Sequence, residues 1–135
     1  MIKPLRFVVY LWTSPTTFAG CLLLIPTLFT GGRYRVVDGV LEVSGGFAAW
    51  FLKHGTLLKG GASAMTLGHI VVARNEACHD LTRAHERVHV RQAERWGPFF
   101  LPAYGIASIV AVLKGQNAYH GNCFEREAFD QADTL

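Results

Sequence analysis

From Phe7 to Gly32 the chain carries no charged side chain, with Lys3 and Arg6 before the gap and Arg33 and Arg35 after it. Such a run covers the roughly 20 residues needed to cross a bilayer core. Tyr10 and Trp12 stand near its start, where amphipathic rings favour the membrane interface. Pro15 and Pro26 interrupt the run, so the pattern predicts its best helical stretch from Thr16 to Thr30, kinked near the end. A secretory signal shares the basic start and apolar core, and a buried core helix shares the composition. Against the signal, no small-x-small cleavage step stands out and the run is long. The reading is a membrane anchor over residues 1–32 followed by one small domain over residues 33–135.

Beyond the anchor the period changes. Arg33 to Val43 alternates around Asp38-Gly39, a strong two-residue turn signal, and predicts a β-hairpin. Gly45-Gly46 stops its second strand, and Phe47 to Lys53 is a short aromatic segment suited to a membrane surface or to covering the core. Gly60-Gly61 marks a loop. Met65 to Ala73 predicts one further strand with His69 in its middle, ended by Arg74-Asn75-Glu76.

Helical periodicity then runs from about Leu81 to Trp96, with Asp80 as the expected N-cap. With His85 at 0° on a helical projection, His89 falls at about 40°, Gln92 at about −20° and Trp96 at about 20°. Leu81 and Val88 complete that face, which the pattern marks as buried, whereas Arg83, Arg87 and Glu94 fall opposite, towards water or lipid headgroups. Gly97-Pro98 ends the helix. Phe99 to Leu113 is a second apolar stretch, short for a full span, and reads as a buried or membrane-dipping helix. After the loop from Gln116 to Gly121, Asn122 opens a final helix to about Ala132. The fold class is therefore α+β. It comprises a transmembrane helix, a small antiparallel sheet (hairpin plus one strand), the periodic helix, an apolar helix and a C-terminal helix.

Composition narrows the classes. Half the residues are hydrophobic and 17% are charged, below the roughly 25% of ordinary soluble domains, which points to lipid or a large interface. A net charge of +3, with no basic stretch interleaved with aromatics, gives no reason to expect nucleic acid. Cys21, Cys78 and Cys123 form no disulfide framework or C-x-x-C knuckle and read as small buried side chains. His54 and His79 read as surface residues.

The chemistry lies in His85-Glu86-Arg87-Val88-His89, an H-E-x-x-H pentad. Histidines at i and i+4 lie one above the other on a helix and can share one Zn²⁺, while the adjacent glutamate is placed to act on water. A catalytic zinc site needs a third protein ligand, and Glu125 and Glu127 in the last helix are the acidic candidates. Asn122-x-x-Glu125 is equally the spacing of a capping box, which would leave Glu125 structural. His120 and Cys123 lie close by in sequence, but suit a solvated loop.

His85 to Gln92, the apolar helix, and then Glu125-Arg126-Glu127-Ala128 together resemble the gluzincin metallopeptidases, whose third zinc ligand is a glutamate. The E-x-x-A step is similar to that of the membrane-embedded prenyl-protein proteases and of the small proteases that cleave bacterial repressors. Short bacterial membrane proteins with this pentad look similar as well. The resemblance covers residues from about 80 to 132. It implies Zn²⁺ on His85, His89 and Glu125, with Glu127 the alternative ligand, and Glu86 as general base. Those families commonly place Asp or Asn four residues after the ligand glutamate; here Phe129 stands there, and Asp130 points about 100° away. The expected activity is hydrolysis of peptide bonds in a membrane-associated polypeptide, with His69 or Tyr104 as a substrate or oxyanion contact. Lipid is the other expected partner and the bacterial inner membrane the expected location. A zinc-stabilised, catalytically weak membrane interaction module is the alternative.

Overall fold

The computed structural model describes residues 4–55 and 61–132; Lys3 and Gly60, used in the sequence reading, lie outside them. Its elements in chain order are α1 (Pro4–Phe29), β1 (Arg33–Val37), β2 (Val40–Ser44), α2 (Gly46–His54), β3 (Ala64–Leu67), β4 (Ile70–Ala73), α3 (Glu76–Trp96), a 3₁₀ turn (Gly97–Phe99), α4 (Phe100–Leu113) and α5 (Cys123–Ala132). The fold is mixed α and β, as the periods predict.

The sheet departs from expectation. It has four strands in the order β1-β2-β4-β3, with β2 and β4 parallel, where a three-stranded antiparallel sheet was expected. The difference begins at Gly68-His69, which forms a tight turn pairing Leu67 with Ile70, so that one expected strand becomes an antiparallel pair. Gly68 takes φ +67°, and a Cβ there would meet the Thr17 backbone at 2.6 Å, a position for glycine alone. The expected hairpin at Asp38-Gly39 is present, both residues having positive φ as its turn type requires.

Helices cover both faces of this sheet. Leu23 of α1 and Leu52 of α2 pack on Val43, Leu67, Ile70 and Val72. On the other face Val40 and Val71 meet Val90 of α3. Strand β4 is buried along its whole length, which is why its sequence is continuously apolar rather than alternating. A third cluster, Ala93, Phe100 and Phe124, joins α3, α4 and α5.

Helix α1 runs unbroken through Pro15 and Pro26, not from Thr16 onward. Pro15 lacks the N–H that would bond the Leu11 carbonyl, and the Ser14 hydroxyl supplies that bond instead at 2.7 Å. One stripe of the helix, Thr13, Thr16, Leu23 and Thr27, is buried, and Gly20 lets it approach Ile70 and Leu67. The remaining surface exposes Leu5, Phe7, Leu11, Phe18, Leu22 and Ile25, among others. Thr16 Oγ1 donates to the Gly97 carbonyl at 2.8 Å in a buried setting. Thr16→Val should leave that carbonyl with the Phe100 amide as its remaining donor and lower the unfolding free energy by about 1 kcal/mol, the net value of one hydrogen bond. Denaturant unfolding of the purified variant measures this; an unshifted midpoint would show that the contact contributes nothing.

Two helical stretches, Leu5–Phe29 and Glu76–Leu113, are long and apolar enough to cross a membrane. Within the second, α4 buries only Phe100 and Ala111 and exposes Ile106, Ile109, Val112 and Leu113. It is thus not a core helix. Trp12 of α1 and Phe99, just before α4, have ring centroids 6.2 Å apart, so the two apolar surfaces meet.

Candidate metal centre

Helix α3 starts five residues before the expected Leu81, because Asn75 rather than Asp80 caps it, accepting from the Cys78 amide at 2.8 Å. Glu76 in the first turn suits the positive end of the helix dipole. The buried side is also wider than the projection implied. Glu86, Val88, His89, Val90, Gln92 and Ala93 are all buried, while Leu81 is 85% and Trp96 41% exposed. The reason is that α3 packs on the sheet along one side and on α5 along another.

On the α5 side the predicted ligands converge. His85 Nε2 and His89 Nε2 lie 2.9 and 3.0 Å from the same oxygen, Glu125 Oε1. Each of the three offers a ligand atom within 4.8 Å of the others. Two imidazole nitrogens and one carboxylate oxygen are the donor set that Zn²⁺ takes with one position left open. Burial raises the Glu125 pKa, but hydrogen bonds from the two imidazoles and from Tyr104 bring it down to about 2. The carboxylate is therefore ionised, as a ligand must be. Glu125 does not serve as a cap. Asn122 caps α5 without it, accepting from the Phe124 amide at 2.8 Å, and its own amide group holds α4 through the Tyr104 carbonyl and Ser108.

Around the triad, Tyr104 Oη donates to Glu125 Oε2 at 2.5 Å. Glu86 is 6% exposed, and Thr66 on β3 donates to its Oε2 at 2.6 Å. The sequence reading assigned no role to Thr66; its signal was a hydroxyl inside an apolar strand. Tyr119, also unassigned there, lines the same cavity as Glu86, His89 and Glu125. Burial and the Glu125 charge raise its hydroxyl pKa, keeping it a proton donor at neutral pH. Gln92 bridges His89 to α5 through bonds at 2.8 and 2.9 Å.

Other expected residues stand elsewhere. His69 is in the β3–β4 turn, its Nε2 2.7 Å from Glu94 and its ring against Tyr10 of α1; it does not line the cavity. Glu127 accepts from Gln92 at 3.0 Å and takes no part in the triad. His120 and Cys123 are exposed, and the His120 ring stacks on Phe129. Phe129 itself presses against the His85 ring with centroids 4.5 Å apart. His79 is buried, 2% exposed, and bonds the Val43 carbonyl instead of facing water. Cys21 and Cys78 are half-buried and Cys123 exposed, all three as free thiols, so burial does not account for them. Arg83 and Arg87 turn inward onto the buried Glu42 rather than out to water.

The cavity beside the triad holds about 400 Å³, within the range of small-ligand sites. Phe51, Met65, Leu67, Phe100 and Leu101 give it apolar walls, and all of β3 runs along it. Because β3 ends the sheet order, no strand among the described residues pairs with its outer edge, and such an edge suits an extended segment. Compared with known proteins, the chain matches no family model, no curated protein and no solved structure.

Proposed function

We propose that the protein is a membrane-anchored zinc peptidase, with His85, His89 and Glu125 as ligands and Glu86 as general base. The observation that carries this reading is the convergence of both pentad imidazoles on one oxygen of Glu125, beside a buried glutamate and an open cavity. A bound zinc ion supplies Lewis acidity, polarising a carbonyl and acidifying water towards neutral pH. Glu86, held by Thr66, takes the proton of the attacking water and passes it to the leaving amine. Tyr104 holds the outer oxygen of Glu125. The substrate lies as an extended strand on the outer edge of β3, with large apolar side chains entering between Met65, Phe100 and Leu101. Exposed apolar surfaces on α1 and α4 support a site at a membrane, the bacterial inner membrane by the resemblance, and a membrane-associated polypeptide as substrate.

A second reading, a zinc-stabilised interaction module without turnover, is favoured by Phe129, which puts an apolar ring against His85 at the position where the resembled families carry Asp or Asn. Metal analysis and a peptide library test the proposal. Purified protein should carry one zinc per chain, hydrolyse apolar peptides, lose that activity to a chelator and regain it with zinc. A chain without zinc, or the same metal content in a His85→Ala/His89→Ala variant, would sink both zinc readings.

A further inference from the structure

Gln92 is 1% exposed, and a buried amide needs partners on both of its atoms. Its Oε1 lies 2.8 Å from His89 Nδ1. Its Nε2 donates to the Phe124 carbonyl at 2.9 Å and to Glu127 Oε1 at 3.0 Å. Because both partners on the nitrogen side are pure acceptors, the amide can face only one way. Its oxygen is thereby committed to His89, which must carry the proton on Nδ1 to satisfy it. Nε2 of that ring, which donates to Glu125 at 3.0 Å, is then the nitrogen that gives up its proton and offers a lone pair when a metal ion takes its place. Histidine ligands generally depend on such a hydrogen bond at the second nitrogen.

We propose that Gln92 is the positioning residue of the metal centre: it fixes the tautomer and orientation of His89, and its bonds to the Phe124 carbonyl and Glu127 set which way its own amide faces. This deepens the zinc reading above and rests on it. The two histidines are thus supported unequally, His89 by a buried amide and His85 by the ring of Phe129. Glu127, the alternative ligand in the sequence reading, instead helps to orient Gln92.

The test is zinc affinity of the full chain in detergent, measured by competition with a chromophoric chelator, for wild type, Gln92→Leu and Gln92→Glu. Leucine removes both halves of the bridge and should weaken zinc binding by about 10- to 100-fold. Glutamate keeps the acceptor for Nδ1–H while losing both donors and meeting the like charge of Glu127. If Gln92 acts through His89, Gln92→Glu retains wild-type affinity within about threefold. A residue that merely tied α3 to α5 would make Gln92→Glu as weak as Gln92→Leu, and that result overturns the proposal, as does wild-type affinity in Gln92→Leu. Should neither variant accumulate folded, nitrogen NMR of the zinc-loaded wild type decides: His89 should show a protonated Nδ1, and metal on Nδ1 overturns the assignment. A wild type that binds no zinc overturns the zinc reading itself, and is distinct from a wild type that binds zinc indifferently to residue 92.

Discussion

Glu86→Gln is expected to cut the turnover of a peptide that the wild type cleaves by about 10²- to 10⁴-fold, the range general-base catalysis supplies, with zinc content unchanged. Glutamine has nearly the same shape, so its carbonyl oxygen can still accept from Thr66 Oγ1, now 2.6 Å from the glutamate. What it cannot do is take a proton from water. Glu86 is buried on α3 between the sheet and the face that carries His85 and His89, so no solvent buffer easily replaces it. Turnover on that peptide, read beside metal content per chain, separates the two zinc readings. Equal turnover in wild type and variant, both holding zinc, would leave the interaction module standing and the peptidase refuted. Thr66→Val should act in the same direction but more weakly, because it disturbs the aim of Glu86 and not its ability to accept a proton.

The meeting of His85, His89 and Glu125 was legible because its signals are local or motif-borne: i,i+4 spacing fixes where two histidines go on any helix, and E-x-x-A marked Glu125. The phase of the helix was less legible. A single projection assumes one buried face, but α3 packs against the sheet and α5 together, so Leu81 was misplaced and Glu86 proved more buried than a flanking position suggests. Gly68 was readable and was missed. A glycine inside a strand pattern is a turn or bulge signal, and taking it so divides Met65 to Ala73 into β3 and β4 and moves His69 off the strand. The hydroxyl stripe on α1 was hidden for another reason: hydropathy registers threonine as neither apolar nor charged, and only the spacing of Thr13, Thr16, Leu23 and Thr27 carries the packing face. The same projection puts Arg83 and Arg87 opposite His85, towards water or headgroups. Their partner, Glu42, is more than 40 residues away in sequence, and no local pattern reports such a pair.

That partner leads to the second large effect: Glu42→Gln should destabilise the fold by about 3 kcal/mol, the lower part of the range for breaking a buried ion pair. Glu42 is 2% exposed and accepts from Arg83 at 2.9 Å on each oxygen, from Arg87 at 2.9 Å and from Arg35 at 3.1 Å. Arg35 and Arg83 reach solvent and can turn to water. Arg87 is more enclosed, with a buried Nη1 that has no hydrogen-bond partner among the described residues, so losing the carboxylate leaves its charge uncompensated. Acid should reproduce part of the effect. Burial raises the Glu42 pKa, but the Arg83 hydrogen bonds and the surrounding positive charge outweigh it and hold the group at about 2. A folded-state pKa below the unfolded carboxylate value contributes stability that is fully present above about pH 4.5 and lost as pH falls through about 2. Glu125 titrates in the same window, so wild type alone cannot assign the loss. The difference between wild type and Glu42→Gln can: it should be constant above about pH 5 and shrink steadily below it. Denaturant unfolding followed by circular dichroism between pH 2.5 and 7 measures that difference. A variant as stable as wild type at neutral pH, or a gap that does not close in acid, would show that the three arginines hold α3 to the sheet without needing Glu42.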